Sequence, residues 1–201
     1  MENILAVKAS ELIQPVSKKL GDYSDFIIKD LPKFKFYDRG SIEWDTSYKQ
    51  LIPYQILKCG DMYLSYNRDT TESESRLYNN FSIGVGGHIN DGDTPDGTNQ
   101  EDASIINSMR VDCNLEREFI EELGCDFTQY VDIVSVIGVI NNNDNEVSEH
   151  HIGLVYLEEI KYGLFTNAIL KDVEFLSIDE LLSNYDRYEN WSKIVIDYLK
   201  G

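Results

Sequence analysis

Arg117-Glu118-Phe119-Ile120-Glu121-Glu122-Leu123-Gly124-Cys125 carries two patterns at once. At about 100° per residue, Glu118, Glu121 and Glu122 fall on one helical face, at i, i+3 and i+4. Leu115, Phe119, Ile120 and Leu123 make the neighbouring stripe, giving the helix a core side and an acidic side. Gly124 stands where a helix ends on a left-handed residue. Three carboxylates roughly 5–6 Å apart at Cβ repel one another by a few tenths of a kcal/mol per pair, so a positive group belongs between them. All-oxygen ligation suits a hard cation such as Mg²⁺ or Mn²⁺, and the lack of sulfur argues against structural zinc. The plain alternative is a solvated acidic face.

A second segment lies upstream: Gly84-Val85-Gly86-Gly87-His88-Ile89-Asn90-Asp91-Gly92-Asp93, a glycine-rich turn after an apolar run. Gly86 and Gly87 let the backbone come close to a metal or phosphate that a Cβ would obstruct. Together the two segments resemble the Nudix box, G-x5-E-x7-R-E-U-x-E-E-x-G-U, with U aliphatic. Gly87 and Asp93 match the first half, with Asp in place of Glu. Arg117 through Cys125 match the second half, with Cys125 off the aliphatic type. Between Asp93 and Arg117 lie 23 residues (94–116), 16 more than the seven of the pattern. The resemblance thus implies a Nudix hydrolase with an insertion inside the box.

The chain has 201 residues, 42% of them hydrophobic, enough for one core in a single unit. Acidic residues number 36 against 18 basic, a net charge of −18, which argues against nucleic-acid partners. Small phosphorylated substrates stay open, since a divalent metal and local Arg or Lys reverse the field inside a cleft. Cys59, Cys113 and Cys125 show no metal-ligand spacing and cannot all pair, which suggests a reducing, cytoplasmic setting. No signal peptide and no run of 18 apolar residues is evident, so no membrane partner is expected.

Residues 1–48 read as an N-terminal extension packed on the core, and 49–201 as the main domain. Ile4–Val7 and Phe34–Arg39 are candidate strands, and Ser10 is a candidate N-cap of a helix ending near Gly21. Tyr54–Cys59 and Met62–Asn67 flank Gly60-Asp61 as a hairpin. Arg68–Tyr78 reads as a loop, and Asn80–Ile89 as a strand reaching the glycine turn. Ala103–Asn114 continues at helical spacing into the carboxylate helix. Val131–Ile140 and His151–Leu157 are strands joined by an Asn-rich turn, and Val173–Leu176 is the last strand. One helix from Ser177 or Asp179 through Leu199 follows, with Trp191, Ile194, Val195 and Tyr198 as its apolar stripe. Arg39, Glu43 and Asp45 leading into Lys49-Gln50-Leu51-Ile52-Pro53-Tyr54 resemble a bacterial branch of MutT-type phosphoesterases. There Arg39 and Lys49 are candidate contacts to substrate, or surface partners of Glu43 and Asp45.

The resemblance implies an α/β (α+β) fold, an α/β/α sandwich with a mixed sheet between helices. It implies hydrolysis of a nucleoside diphosphate derivative or related organic diphosphate. Glu118, Glu121, Glu122 and the Gly87 carbonyl would hold Mg²⁺ or Mn²⁺, and Arg117 would orient the carboxylates. Glu118, Glu122 and Arg117 are the catalytic candidates, with Glu118, or Glu146 or Glu149 downstream, as general base. Gly86, His88, Asp93, Glu149 and His151 are candidate supporting residues, and His150-His151 alone makes a poor metal site. The competing readings are a catalytically silent domain that senses a nucleotide-like ligand and an isoprenoid diphosphate isomerase, for which no suitably placed cysteine stands out. The N-terminal arm makes a homodimer plausible.

Overall fold

The computed structural model describes residues 2–12, 34–68, 80–93, 108–161, 165 and 169–201. Among the described residues, nine strands form one mixed sheet: β1 (Asn3–Lys8), β2 (Lys35–Asp38), β3 (Tyr48–Cys59), β4 (Met62–Asn67), β5 (Phe81–Ser82), β6 (Gly84–Val85), β7 (Val131–Ile140), β8 (His151–Ile160) and β9 (Lys171–Ser177). The helices are α1 (Arg39–Ile42), α2 (Ser108–Leu123), α3 (Phe127–Tyr130), α4 (Glu146–His150), α5 (Ile178–Ser183) and α6 (Asn190–Leu199). β3 is the axis of the sheet. It pairs in parallel with β8 from Gln50–His151 to Lys58–Glu159, and antiparallel with β1, β6 and β4.

Period-two alternation in β3 and β8 makes the layers. Leu51, Ile152, Leu154 and Tyr156 face α2 and pack with its Val111 and Leu115. Ile52, Tyr54, Ile56 and Val155 face the other way, against Leu181 of α5 and Trp191, Val195 and Ile196 of α6. The result is the sandwich expected from the sequence, a mixed sheet between helices.

β1 is built into the sheet between β2 and β3, with Ile4, Leu5, Ala6 and Val7 buried. Its Leu5 amide also donates to the Ile89 carbonyl, and the Asp91 amide donates to the Asn3 carbonyl. The extension therefore anchors the glycine turn. Beyond Ala9–Glu11, a single 3₁₀ turn, the helix expected after Ser10 lies outside the described residues. So do residues 69–79, expected as a loop, and residues 94–107, where an insertion is expected.

The C-terminal element differs from the single helix expected. It breaks between Asn184 and Glu189, where Tyr188 bridges to Phe81 and the Glu189 amide donates to the Phe81 carbonyl. A sheet contact there competes with helix continuation, and the Glu189 side chain restarts the helix by accepting from the Trp191 and Ser192 amides. Ser177 does cap α5, in a full capping box with Glu180. The Asn-rich turn leads into α4, a helix the sequence reading lacked, which Asn145 caps by accepting from the Ser148 amide. The strand expected over Asn80–Ile89 stops at Val85. Ile120, assigned to the apolar stripe of α2, is 43% exposed, while Leu115, Phe119 and Leu123 are fully buried.

Candidate active site

α2 presents its acidic face to the glycine turn, and Arg117 ties the two together. Its Nε and Nη2 donate to the two Asp93 carboxylate oxygens at 2.7 and 2.9 Å. Its Nη1 donates to Glu118 Oε1 at 2.7 Å and to Glu121 Oε2 at 2.9 Å, and Nη2 also reaches the His88 carbonyl at 3.0 Å. Asp93 accepts further bonds from the Asn90 amide and from Asn114 Nδ2. Burial alone would raise the Asp93 carboxyl, but the Arg117 hydrogen bonds and charge, with the Asn90 amide, hold it below the usual carboxylate range.

Glu118 is nearly buried, and Gly87 is what lets it lie there. A Cβ on Gly87 would fall 2.2 Å from Glu118 Oε1. Burial pushes the Glu118 carboxyl up to about 7; Arg117 opposes this, and the Glu121 and Glu122 charges add to it. One guanidinium shared among three carboxylates leaves Glu118 short of counter-charge. An oxygen-only donor set of this kind fits a hard divalent cation. Among the described residues, no three Asp, Glu, His or Cys side chains converge as a ready-made metal cage, because Arg117 takes the place between Glu118 and Glu121.

Glu118, Glu121, Glu122, Arg117, Gly86, Gly87, His88 and Arg39 line one cleft of about 350 Å³, along with Arg68. Arg39 is held there by Glu43 (2.7 Å) and Glu2 (3.0 Å). A second cleft adjoins it, sharing Arg39, Arg68, Gly86, Gly87 and His88 and continuing to Ile52, Tyr54, Val147, His151 and Trp191. At the junction the His88 and His151 rings stand 5.5 Å apart. His88 Nε2 donates to Gln50 Oε1 and His151 Nδ1 to the Val147 carbonyl, each at 2.7 Å. Burial, with the neighbouring His151, Arg39 and Arg117, keeps His88 neutral well below its ordinary value.

Lys49 and Glu149 line neither of these clefts. The Lys49 ammonium is buried under the β7–α4 loop, donating to the Asn142 carbonyl (3.0 Å), Asn143 Oδ1 (2.7 Å) and the Ser148 carbonyl. Burial pushes it down to about 8. Glu149 points outward from α4. Arg68, Tyr54 and Trp191 are not candidate site residues by sequence: Arg68 opens a polar loop, Tyr54 ends the Lys49–Tyr54 segment without a role of its own, and Trp191 reads as core.

A mixed sheet with a glycine turn set against an Arg-Glu helix defines the architecture of the Nudix superfamily, and this chain belongs to it. The solved structure of Tm1382, described as a candidate Nudix hydrolase, matches with a TM-score of 0.68 and 26% identity over 98% of each chain. Protein YmaB of Bacillus subtilis (strain 168) is 33% identical over 167 residues, covering 81% of this chain and 76% of that protein. The Nudix domain of Shewanella oneidensis NrtR, solved with ADP ribose, shares the fold with a TM-score of 0.53 and 12% identity, over 82% of this chain and 92% of that one. No protein-family model matches the chain.

Proposed function

We propose that this chain is a divalent-cation-dependent hydrolase of a nucleoside diphosphate derivative or related organic diphosphate. The observation that carries the reading is the Glu118 carboxylate, buried against Gly87 and under-compensated by Arg117. Glu118, Glu121 and Glu122, with the Gly87 carbonyl, are the residues that would hold Mg²⁺ or Mn²⁺. When bound, the cation neutralises charge on the diphosphate oxygens and lowers the pKa of water. Arg117 keeps the carboxylates oriented, and Asp93 keeps Arg117 from swinging away. Arg39 and Arg68 border both clefts and are suited to gripping phosphate oxygens, Arg39 by exchanging a carboxylate partner for a phosphate. Glu118, set against the Gly87 backbone, is the candidate base toward the attacking water.

The alternative is a binding domain without turnover, and the Arg117 guanidinium lodged between Glu118 and Glu121 favours it. Phosphate release over a panel of nucleoside and organic diphosphates, with Mg²⁺ or Mn²⁺, decides between the two. Cation-dependent release from at least one member is expected. No release from any, at protein concentrations in the micromolar range, would leave the silent domain.

A further inference from the structure

One wall of the second cleft, carrying Asn145, Val147 and Ser148, is a segment outside the sheet: residues 141–150, from the end of β7 through α4. Lys49 reaches this segment from near the start of β3, where the next residue, Gln50, pairs with His151 at the head of β8. Lys49 is 4% exposed, and its Nζ donates to the Asn142 carbonyl at 3.0 Å, to Asn143 Oδ1 at 2.7 Å and to the Ser148 carbonyl. An ammonium has three N–H bonds, and these oxygens take one each. Two of the acceptors precede α4 and the third lies within it, so a single group ties both arms of the segment to the sheet.

All three acceptors are neutral oxygens, and hydrogen bonds to them from a charged donor are stronger than neutral ones. Without that donor, three oxygen dipoles would converge with nothing between them, and the segment would turn outward to solvate them. A further tie is longer and neutral: Trp191 Nε1 donates to Ser148 Oγ at 3.2 Å. Within the segment, Asn145 accepts from the Ser148 amide through Oδ1 (2.8 Å) and from the Glu149 amide through its carbonyl (3.0 Å). Those two amides therefore report whether the wall is formed. Lys49 lines neither cleft, so it acts on a bound group only through this segment.

We propose that Lys49 is a positioning residue of the second cleft, its ammonium holding residues 141–150 against the sheet as the cleft wall. Its effect on turnover rests on the hydrolase reading above, whereas the positioning does not, and the test reads the two apart. Hydrogen exchange at pH 7 follows the Ser148 and Glu149 amides, with the Leu154 and Val155 amides of β8 as reference. In Lys49→Met both segment amides are expected to exchange at least tenfold faster, over and above any change at the reference pair. Asn143→Ala removes one acceptor from an exposed residue and leaves Lys49 in place. It is expected to speed the same two amides at least threefold, and it decides alone if Lys49→Met does not fold. For a diphosphate of the panel that is hydrolysed, Lys49→Met should raise KM at least fivefold with kcat within twofold, the mark of a lost binding surface rather than lost chemistry. A uniform rise at all four amides in Lys49→Met overturns the proposal, as do unchanged Ser148 and Glu149 exchange in Asn143→Ala or a fall in kcat at constant KM. Local acceleration without hydrolysis of any panel member leaves the proposal standing and removes only the hydrolase reading.

Discussion

Asp93 and Arg117, separated by 23 residues (94–116), form a two-pronged ion pair with N–O distances of 2.7 and 2.9 Å. The glycine-turn segment and the carboxylate helix thus meet in space although they lie apart in the chain. Asp93→Asn keeps the shape but removes the charge. It is expected to cost on the order of 2 kcal/mol, below the roughly 3–5 kcal/mol of a fully buried pair because the Arg117 side chain is 27% exposed. The Asp93 carboxyl is held below its ordinary 3.8, so its contribution is present above that pH and is lost as pH falls through the lowered value. Urea melts from pH 7 down to pH 3 should show the gap between wild type and Asp93→Asn closing in acid. A constant gap would mean the pair does not carry the effect.

Gly87→Ala tests the close approach of backbone and carboxylate. The added Cβ would meet the mobile end of Glu118 rather than backbone, so the fold should tolerate it. The thermal transition is expected to move by a few °C at most, while kcat falls about a hundredfold from misplacement of one carboxylate. A displaced Glu118 should also weaken Mn²⁺ binding, which electron paramagnetic resonance reads directly.

Substituting the carboxylates divides their roles. Glu122→Gln is expected to abolish cation-dependent hydrolysis with the circular dichroism spectrum unchanged. Glu118→Gln should lower kcat by about 10²–10⁴, the range for loss of a general base. An unchanged kcat in Glu118→Gln would pass the base role to the segment holding Glu146 and Glu149.

Glu158 gives a pH signal away from the acidic face of α2. It is fully buried on β8 beneath α2, with the Gln55 amide nitrogen as donor at 3.2 Å. Burial pushes its carboxyl from 4.5 up to about 8. Between those values the folded chain keeps a proton that the unfolded chain has released, so stability falls as pH rises through that window. Glu158→Gln should remove that fall and be more stable than wild type at pH 9, by up to a few kcal/mol. Chemical denaturation at pH 5 and pH 9 checks it. Equal pH slopes in the two proteins would place the ionisation elsewhere.

Much of this site was legible in one dimension. The carboxylates of α2 share a face because a helix repeats every 3.6 residues, and no tertiary information is needed to see it. Val131–Ile140 reads as a strand at both its ends, because β-branched runs declare themselves locally. The break at Asn184–Glu189 could not, since it depends on Phe81, about a hundred residues earlier, supplying a sheet contact that outcompetes the next helical turn. By sequence Lys49 is a substrate contact or a surface partner of Glu43 and Asp45, and only the β7–α4 loop folding over it decided that its ammonium would face backbone carbonyls.

The sequence by itself determined the local chemistry: an acid-lined helix, a glycine bend before it, and strands whose alternation divides two apolar faces. Only the tertiary structure decided which charges meet. It put Arg117 between Glu118 and Glu121, brought Arg39 and Arg68 to one rim, and set Trp191 against Tyr54 beside it. The physical reason is range. Backbone propensity and periodicity act over a few residues, whereas desolvation and ion pairing depend on neighbours that the chain reaches only after it has folded.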